Sequence, residues 1–379
     1  MVRVPHMRAL ALAAAFLAAC IPGSPSTPTQ LPLAPSPSPS SSPVPLYSVT
    51  TIQPTPELPS PTAESGTLVG RLDREAKVDG VMAMAWSPDG ERIALTTISG
   101  VLLLDASTLS QVAAQTTDLP QNALAFSADG ATLATVDHFE QGRTVRLWDT
   151  VDLAFLREHD LPGDENDPAV MQLGFLPNGD LVVATAELPG MAIWTISPNG
   201  AMGRLFGVEG AYALMATLDP VHGMVAVPVG REFPSEVVQV WDITSASMRQ
   251  EAPLSNAGSL QFSHDGRELL ALLDFAATTW DIREDHIESQ APFSSGMISH
   301  ARFPIHLTIS HDDSVFASGT EIPSPGIGFW DVHTGQLLGL MRHDELGSVE
   351  WLSFSPTKNE LAILLEDGRL QVWKVATAG

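Results

Sequence analysis

The sequence has a single cysteine, Cys20, among 379 residues. One cysteine excludes a disulfide within the chain and leaves no thiolate cluster for a metal ion. Basic residues are also scarce, with 19 Lys and Arg against 44 Asp and Glu, and the formal net charge is −25. Because an acidic chain repels the phosphate backbone, we expect no nucleic-acid binding. The same acidity suits solubility alone, or else a cationic partner or a divalent metal ion.

Motifs of common enzymes are missing as well. The chain has no His-Glu-x-x-His, no Gly-x-Ser-x-Gly, no phosphate-cradling glycine loop and no dinucleotide fingerprint, and its 11 histidines are scattered. The segment 163–168 has closely spaced oxygen ligands, but it lacks the glycine and the distant glutamate of an EF-hand loop. We therefore predict no catalytic residue, no cofactor and no metal site.

What the chain does have is a repeat. Its clearest copy has apolar strands at 122–126 and 132–136, a third strand at 144–149 and a fourth near 154–157, and alternating polarity predicts a four-stranded sheet. The first turn, Ser127-Ala-Asp-Gly130, recurs at 40- to 49-residue spacings. These turns start at Ser87, Ser127, Leu176, Leu218, Ser263, Ser310 and Ser355. The third strand ends at Leu104-Asp105, Trp148-Asp149, Trp194-Thr195, Trp241-Asp242, Trp280-Asp281, Trp330-Asp331 and Trp373-Lys374.

The period and the Trp-Asp ending resemble the WD40 β-propeller family over residues 67–379. Glycine at the turn suits a positive φ, tryptophan suits the wedge between adjacent sheets, and the following aspartate suits the next turn, so we interpret these residues as structural. The family also carries a Gly-His pair and a Ser/Thr-His-Asp-Trp hydrogen-bond set, which are largely missing here. The resemblance therefore implies the fold more firmly than any function.

The fold class predicted is all-β, a seven-bladed propeller of four-stranded antiparallel blades. The last unit has only three strands, so we expect the lone strand at 67–73 to supply its fourth and to close the ring. The predicted blades are 81–117, 122–160, 169–208, 211–254, 257–292, 306–343 and 349–379 with 67–73, and a long connection is expected at 293–305.

The N-terminus reads as an export signal. Residues 1–8 carry two Arg and no acid, residues 9–17 are an apolar run too short to span a bilayer, and Leu17-Ala-Ala-Cys20 follows. That ending resembles the lipobox of bacterial lipoproteins, which implies cleavage after residue 19, a lipid on Cys20 and a mature net charge of −27 after loss of the two Arg. We expect an exported chain anchored to the cell membrane or the outer membrane.

Residues 20–66 form the predicted linker between this signal (1–19) and the propeller (67–379). Residues 21–66 hold 13 of the 30 prolines and only two charges, so we expect them to be disordered and extended.

Binding residues are predicted on the face that carries the connections between the second and third strands and between successive blades. Loops on rigid scaffolds often carry function, and several of these loops combine charge with aromatic residues. Glu158 and Asp160 are expected to share the loop at 158–167. The candidate partner-binding residues are Asp137, His138, Phe139, Glu140, Asp164, Glu165, Asp167, Arg231, Phe233, His343, Asp344 and Glu345.

The function predicted is that of a monomeric, non-catalytic scaffold that binds another protein or a component of the cell envelope. An alternative remains open: a hydrolase or lyase, with or without a metal ion, whose site lies at the mouth of the channel. Residues that a propeller assembles around its channel would leave no trace in sequence spacing. A third hypothesis, an envelope-assembly propeller lipoprotein of Gram-negative bacteria, shares the anchor, but such proteins lack the Pro-rich stalk and the Trp-Asp endings.

Overall fold

A computed structural model describes most of the propeller region. The described residues are 50–52, 68–137, 143–162, 170–187, 190–212, 215–230, 236–253, 259–272, 276–282, 288–289, 293–294, 307–320, 326–342 and 349–377. The chain divides into two units, Met1–Leu46 and Tyr47–Gly379, and all described residues belong to the second. Cys20 and the predicted signal peptide lie outside them. Within the described residues, no helix has the length and apolar character needed to cross a membrane.

The described residues form thirty β-strands. The first two are β1 (Thr50–Ile52) and β2 (Leu68–Lys77). Blade one has β3 (Val81–Trp86), β4 (Arg92–Thr97), β5 (Gly100–Asp105) and β6 (Gln111–Thr116). Blade two has β7 (Gln121–Phe126), β8 (Thr132–Asp137), β9 (Thr144–Asp149) and β10 (Phe155–Asp160). Blade three has β11 (Val170–Phe175), β12 (Leu181–Glu187), β13 (Gly190–Ile196) and β14 (Met202–Glu209).

Four further blades complete the ring. Blade four has β15 (Thr217–Asp219), β16 (Met224–Val229), β17 (Val237–Asp242) and β18 (Ser247–Pro253). Blade five has β19 (Ser259–Phe262), β20 (Glu268–Leu272), β21 (Ala276–Asp281), β22 (Glu288–Ser289) and β23 (Phe293–Ser294). Blade six has β24 (Leu307–Ile309), β25 (Val315–Thr320), β26 (Gly326–Asp331) and β27 (Leu337–Arg342). Blade seven has β28 (Val349–Phe354), β29 (Glu360–Leu365) and β30 (Arg369–Thr377), together with β2 and β1.

The predicted closure of the ring is confirmed. β2 lies antiparallel beside the C-terminal strand β30, with Leu68 opposite Thr377 and Lys77 opposite Arg369. The N-terminal strand therefore serves as the outer strand of blade seven, which removes a free sheet edge from β30. It runs to Lys77, four residues beyond the predicted end at 73.

Seven apolar clusters occupy the seven junctions between blades. The cluster between blades seven and one includes Leu364 and Leu370 from blade seven and Trp86, Ile93 and Leu102 from blade one. Equivalent clusters join each of the other neighbouring pairs. The core is therefore distributed around the ring, which explains how more than 300 residues form one domain without a single thick core.

The Trp-Asp ending has the structural role predicted for it. Trp148, Trp280, Trp330 and Trp373 are at most 3% exposed. In blades one, two, three, four, six and seven, the pairing of the third and fourth strands shifts register at this position, as it does between Ile193 and Trp194. Such a bulge increases the local twist and lets the outer strand turn away beside the large ring.

The first turns of blades one, two, five and six are held by the same set of hydrogen bonds. In blade one, Ser87 Oγ donates to Asp89 Oδ1 over 2.5 Å, and the backbone N–H of Arg92 donates to Ser87 Oγ over 2.9 Å. Gly90 takes a φ of 69°, a left-handed conformation that glycine adopts without steric cost. The same side-chain pair recurs as Ser127 with Asp129, Ser263 with Asp265 and Ser310 with Asp312.

We name the two faces of the propeller by the connections they carry. The lower face carries the turns between first and second strands and between third and fourth strands. The upper face carries the connections between second and third strands and between successive blades.

Three regions depart from the regular pattern. The first strand of blade four, β15, has only three residues, which fits its weak turn signal at Leu218. The outer strand of blade five is split, and Phe293 in β23 pairs with Ala277, so the expected connection at 293–305 begins inside a strand. Within the predicted linker, β1 pairs with β2 and adds a fifth strand to blade seven.

Candidate functional site

Of the predicted partner-binding residues, only Asp137 lies among the described residues. It ends β8 on the upper face of blade two. The others fall outside the described ranges: His138, Phe139, Glu140, Asp164, Glu165, Asp167, Arg231, Phe233, His343, Asp344 and Glu345. Their role in binding stays a prediction.

Asp137 lies inside the upper rim of blade two. Its side chain is 2% exposed, accepts a hydrogen bond from Gln121 Nε2 over 2.6 Å and forms an ion pair with Arg146. Arg146 Nε also lies 3.5 Å from the exposed carboxylate of Glu158. Asp137 is therefore a buried partner of Arg146. Of the three charged residues Asp137, Arg146 and Glu158, Glu158 is the one exposed to solvent.

Asp137 also ends a chain of buried hydrogen bonds across blade two. Trp148 Nε1 donates to Thr135 Oγ1 over 2.9 Å, and Thr135 Oγ1 donates to Gln121 Oε1 over 2.8 Å. Gln121 Nε2 then donates to Asp137. This hydrogen-bonded chain corresponds to the Ser/Thr-His-Asp-Trp set of the WD40 family, with Gln121 in the place of histidine. In the sequence that set is largely missing, but blade two has this variant of it.

The expectation that Glu158 and Asp160 share a loop is wrong. Both residues lie in β10, opposite Arg146 and Thr144 of β9 respectively, and Asp160 Oδ1 accepts a hydrogen bond from Thr144 Oγ1 over 2.7 Å. The outer strand β10 faces solvent, so it contains polar and charged residues like those of a loop. For this reason the predicted strand ended near 157, whereas β10 continues to Asp160.

The upper face has an acidic rim that extends over several blades. Its members are carboxylates at the ends of strands or in the turns between them, where the chain order places them on this face. They include Asp79, Glu187, Glu209, Glu236, Glu366 and Asp367. All except Glu187, which is half-buried and pairs with Arg204 Nη2 over 2.8 Å, are exposed. We call these six residues the acidic rim.

A second polar group lies on the lower face and was missed by sequence reasoning. Blades five and six enclose a depression of about 210 Å³ lined by Asp265, Arg267, Glu268, Asp313 and His333. Asp313 takes a φ of 56° where other turns have glycine, and its carboxylate accepts the N–H groups of His264 over 2.8 Å and of Asp265 over 3.2 Å. The signal in the sequence was Ser310-His-Asp-Asp313, which has aspartate at the glycine position.

The lower-face group serves to join two blades. His264 Nδ1 lies 2.8 Å from Asp313 Oδ1, and His333 Nε2 lies 3.8 Å from Glu268 Oε1. In both pairs one residue comes from blade five and the other from blade six. Among the described residues, no group of three or more His, Cys, Asp or Glu side chains has the geometry to hold a metal ion.

Comparison with known proteins identifies the fold and leaves the activity open. No protein-family model matches the chain, and no curated protein matches it. Among solved structures, 1507 chains match, so the architecture is common and does not by itself select a function. One is the β-propeller domain of Cps50 (Swd1) from Myceliophteria thermophila, with a TM-score of 0.64 and 15% sequence identity over 81% of this chain and 100% of that one. The chain is a seven-bladed β-propeller with a WD40-like repeat.

Proposed function

We propose that this chain is an exported lipoprotein whose propeller is a non-catalytic scaffold for protein binding on its upper face. The observation that carries the proposal is the acidic rim, a set of exposed carboxylates presented by a closed, rigid ring. Propellers of this kind commonly serve as protein-interaction scaffolds, and loops on a rigid scaffold are preferred binding sites. A ring of like charge attracts a cationic partner and steers its approach.

The partner is a protein or an envelope component with a basic surface. A net charge of −25 makes nucleic acid an unfavourable ligand, because the phosphate backbone would be repelled. The alternative of a hydrolase or lyase at the channel mouth has no specific support in the described residues, and it is tested by assaying the purified chain against the same envelope extract that supplies the partner.

Site-specific photo-crosslinking on whole cells tests the binding face. A photoreactive residue at Glu366, exposed on the upper face, is expected to yield discrete adducts. The matched control places the same residue at Val151, which is 70% exposed on the lower face of blade two. Equal adducts from both positions, or adducts from Val151 alone, would overturn the assignment of the face.

The anchor is a separate part of the proposal. It is supported by the basic N-terminus, the short apolar run and the Leu17-Ala-Ala-Cys20 ending. Metabolic labelling with palmitate is expected to mark the native chain, and Cys20→Ser is expected to remove the label and release the protein from membranes. A Cys20→Ser chain that stays membrane-bound would contradict the anchor and would leave the binding face untouched.

A further inference from the structure

The outer edge of β2 carries a strand from elsewhere in the chain. β1 lies antiparallel to it, with Thr50 opposite Lys77, Thr51 opposite Ala76 and Ile52 opposite Glu75. In the described parts of blades one to four and six, the outer strand is the last strand of its sheet. Blade seven thus shows directly that the edge of a blade accepts an added strand, which an unpaired row of N–H and C=O groups favours.

The sequence marks the same segment independently. Residues 21–61 contain 13 prolines, and the longest stretch between two of them is 46–53, Leu-Tyr-Ser-Val-Thr-Thr-Ile-Gln. Proline cannot donate to a strand ladder, so a strand in this linker requires such an interval. Val49, Thr50, Thr51 and Ile52 are all β-branched, the residue type that strands favour.

The geometry of β2 explains why the added strand sits where it does. β2 has ten residues, whereas the outer strands β6, β10, β14, β18 and β27 have six to eight. Its pairing with β30 shifts register between Leu72 and Arg74, and β1 pairs only with the three residues at the far end, beyond this bulge. The extra length of β2 is therefore the part that takes the added strand.

The added strand is short enough to exchange. Three residues form a strand well below the usual length, and strand pairs of minimal size are marginal in water. The intervening residues 53–67 tie β1 to its site, and a linker of fifteen residues gives an effective concentration on the order of millimolar. A separate peptide can compete with it when that peptide forms a longer strand or is presented at high local concentration.

We propose that the Glu75–Lys77 edge of β2 is a strand-binding site, that Thr50–Ile52 is its resident ligand, and that an extended, uncharged, β-branched peptide of a partner protein replaces it. The proposal adds one kind of partner to the proposed scaffold role. The identity of the competing peptide as part of a partner protein rests on that role, whereas the strand site itself does not.

A peptide titration tests the site. A fluorescein-labelled peptide of residues 47–53 is titrated into the full chain and into the Thr51→Pro/Ile52→Pro variant, and anisotropy is followed. The variant cannot complete the ladder with its own segment, so it is expected to bind the peptide at least about fivefold more tightly than the native chain. Equal binding, or equal binding of a peptide with proline at both of those positions, would overturn the proposal.

A disulfide trap supplies a readout that does not depend on affinity. In a Cys20→Ser background, Thr50→Cys with Lys77→Cys places two thiols on opposed residues, and Lys77 is exposed, so the core is undisturbed. Oxidation is expected to form the disulfide and to abolish peptide binding. The control pairs Thr50→Cys with Arg71→Cys. Arg71 lies six residues from Lys77 along β2, a distance of about 20 Å, so this pair of thiols is expected to stay reduced.

The two proposals fail separately. A trap that does not form, or a trapped chain that still binds the peptide, would overturn the strand site while crosslinking from Glu366 stays intact. Loss of the Glu366 adducts with normal peptide exchange would overturn the upper-face scaffold and leave the strand site standing.

Discussion

The two faces of the propeller use their polar residues differently. On the lower face, side chains repeatedly join one blade to the next: Arg92 donates to the carbonyl oxygen of Thr150, Arg157 to that of Pro198, and Thr357 Oγ1 to that of Asp89 over 3.2 Å. On the upper face, the ion pairs of Arg204 with Glu187, Arg146 with Asp137, and Arg369 with Asp367 each stay within one blade.

The polar residues of the two faces therefore have different roles. The lower face contributes to the stability of the ring, because its polar residues are engaged in turns and in contacts between blades. The acidic rim of the upper face consists mainly of exposed carboxylates, whose replacement costs the fold little. A surface that can vary without loss of stability is where a binding function is free to develop.

The largest effect is expected at the ring closure. Arg74 in β2 is buried, and it donates to the carbonyl oxygen of Ala106 in blade one and to Asp73 and Glu360 of blade seven, each carboxylate over 2.6 Å. Arg74→Ala leaves Glu360 buried without its cation, so we expect a loss of about 3 to 5 kcal/mol in the free energy of unfolding. Urea denaturation measures it, with the exposed Arg71→Ala as the control.

A second change sharpens the interpretation of Arg74. In the double variant Arg74→Met/Glu360→Leu, no buried charge is left unpaired, so most of the lost stability is expected to return. A double variant as unstable as Arg74→Ala would mean that the hydrogen bond from Arg74 to Ala106 of blade one, and not the ion pair within blade seven, accounts for the lost stability.

Acid is expected to weaken the lower face. Hydrogen bonds from the hydroxyls of Ser87, Ser107 and Ser127 lower the pKa of Asp89, Asp105 and Asp129, respectively, below the ordinary value of 3.8. A carboxyl whose pKa is depressed in the folded state adds stability above its unfolded pKa and loses it as pH falls through the folded value. The melting temperature is therefore expected to fall as the pH drops below about 4.

The matched variant replaces all three serines with alanine. It is expected to melt lower at pH 7 and to show a shallower fall below pH 4, because the carboxyls would then titrate nearer their unfolded values. A variant with the same acid profile as the native chain would place the acid-sensitive groups elsewhere.

A single lower-face turn should show a smaller effect. Asp331 Oδ1 accepts from the backbone N–H groups of His333 over 3.1 Å and Thr334 over 2.7 Å, and from Thr334 Oγ1 over 2.8 Å. Asp331→Ala removes these bonds and is expected to cost about 1 kcal/mol in urea denaturation. Glu366→Ala on the upper face is the control, and equal losses would erase the distinction between the faces.

The sequence predicted the blades because each blade carries its own markers. Turn glycines, Trp-Asp endings and alternating strands are local patterns, so they repeat visibly along the chain. The ring closure was predicted from the number of strands, because the last unit had three strands and a lone strand preceded the first unit. Contacts between residues far apart in the sequence left no such trace, because Arg74 and Glu360 are 286 positions apart and His264 and Asp313 are 49 apart.

The candidate site was less predictable, for reasons that differ between residues. Asp137 was interpreted as a loop charge, although strand alternation places it on the same side of β8 as Thr135, which is fully buried. β1 was overlooked because the proline content of the linker outweighed its one proline-free interval. Glu158 and Asp160 were assigned to a loop because an outer strand exposed to solvent has the polarity of a loop.

The smallest effect on stability, and the sharpest test of the upper face, is expected from reversing a rim charge. Glu366→Lys changes an exposed carboxylate in a turn of blade seven, and Glu91→Lys makes the same change in charge at an exposed position of the lower face. Both variants are expected to melt like the native chain.

With a photoreactive residue at Asp79 on the acidic rim, Glu366→Lys is expected to reduce adduct yield by roughly threefold, because an opposing charge slows association with a cationic partner. Glu91→Lys is expected to leave the yield unchanged, since its charge lies on the other side of the ring. If both variants reduce the yield equally, net charge and not the upper face determines capture.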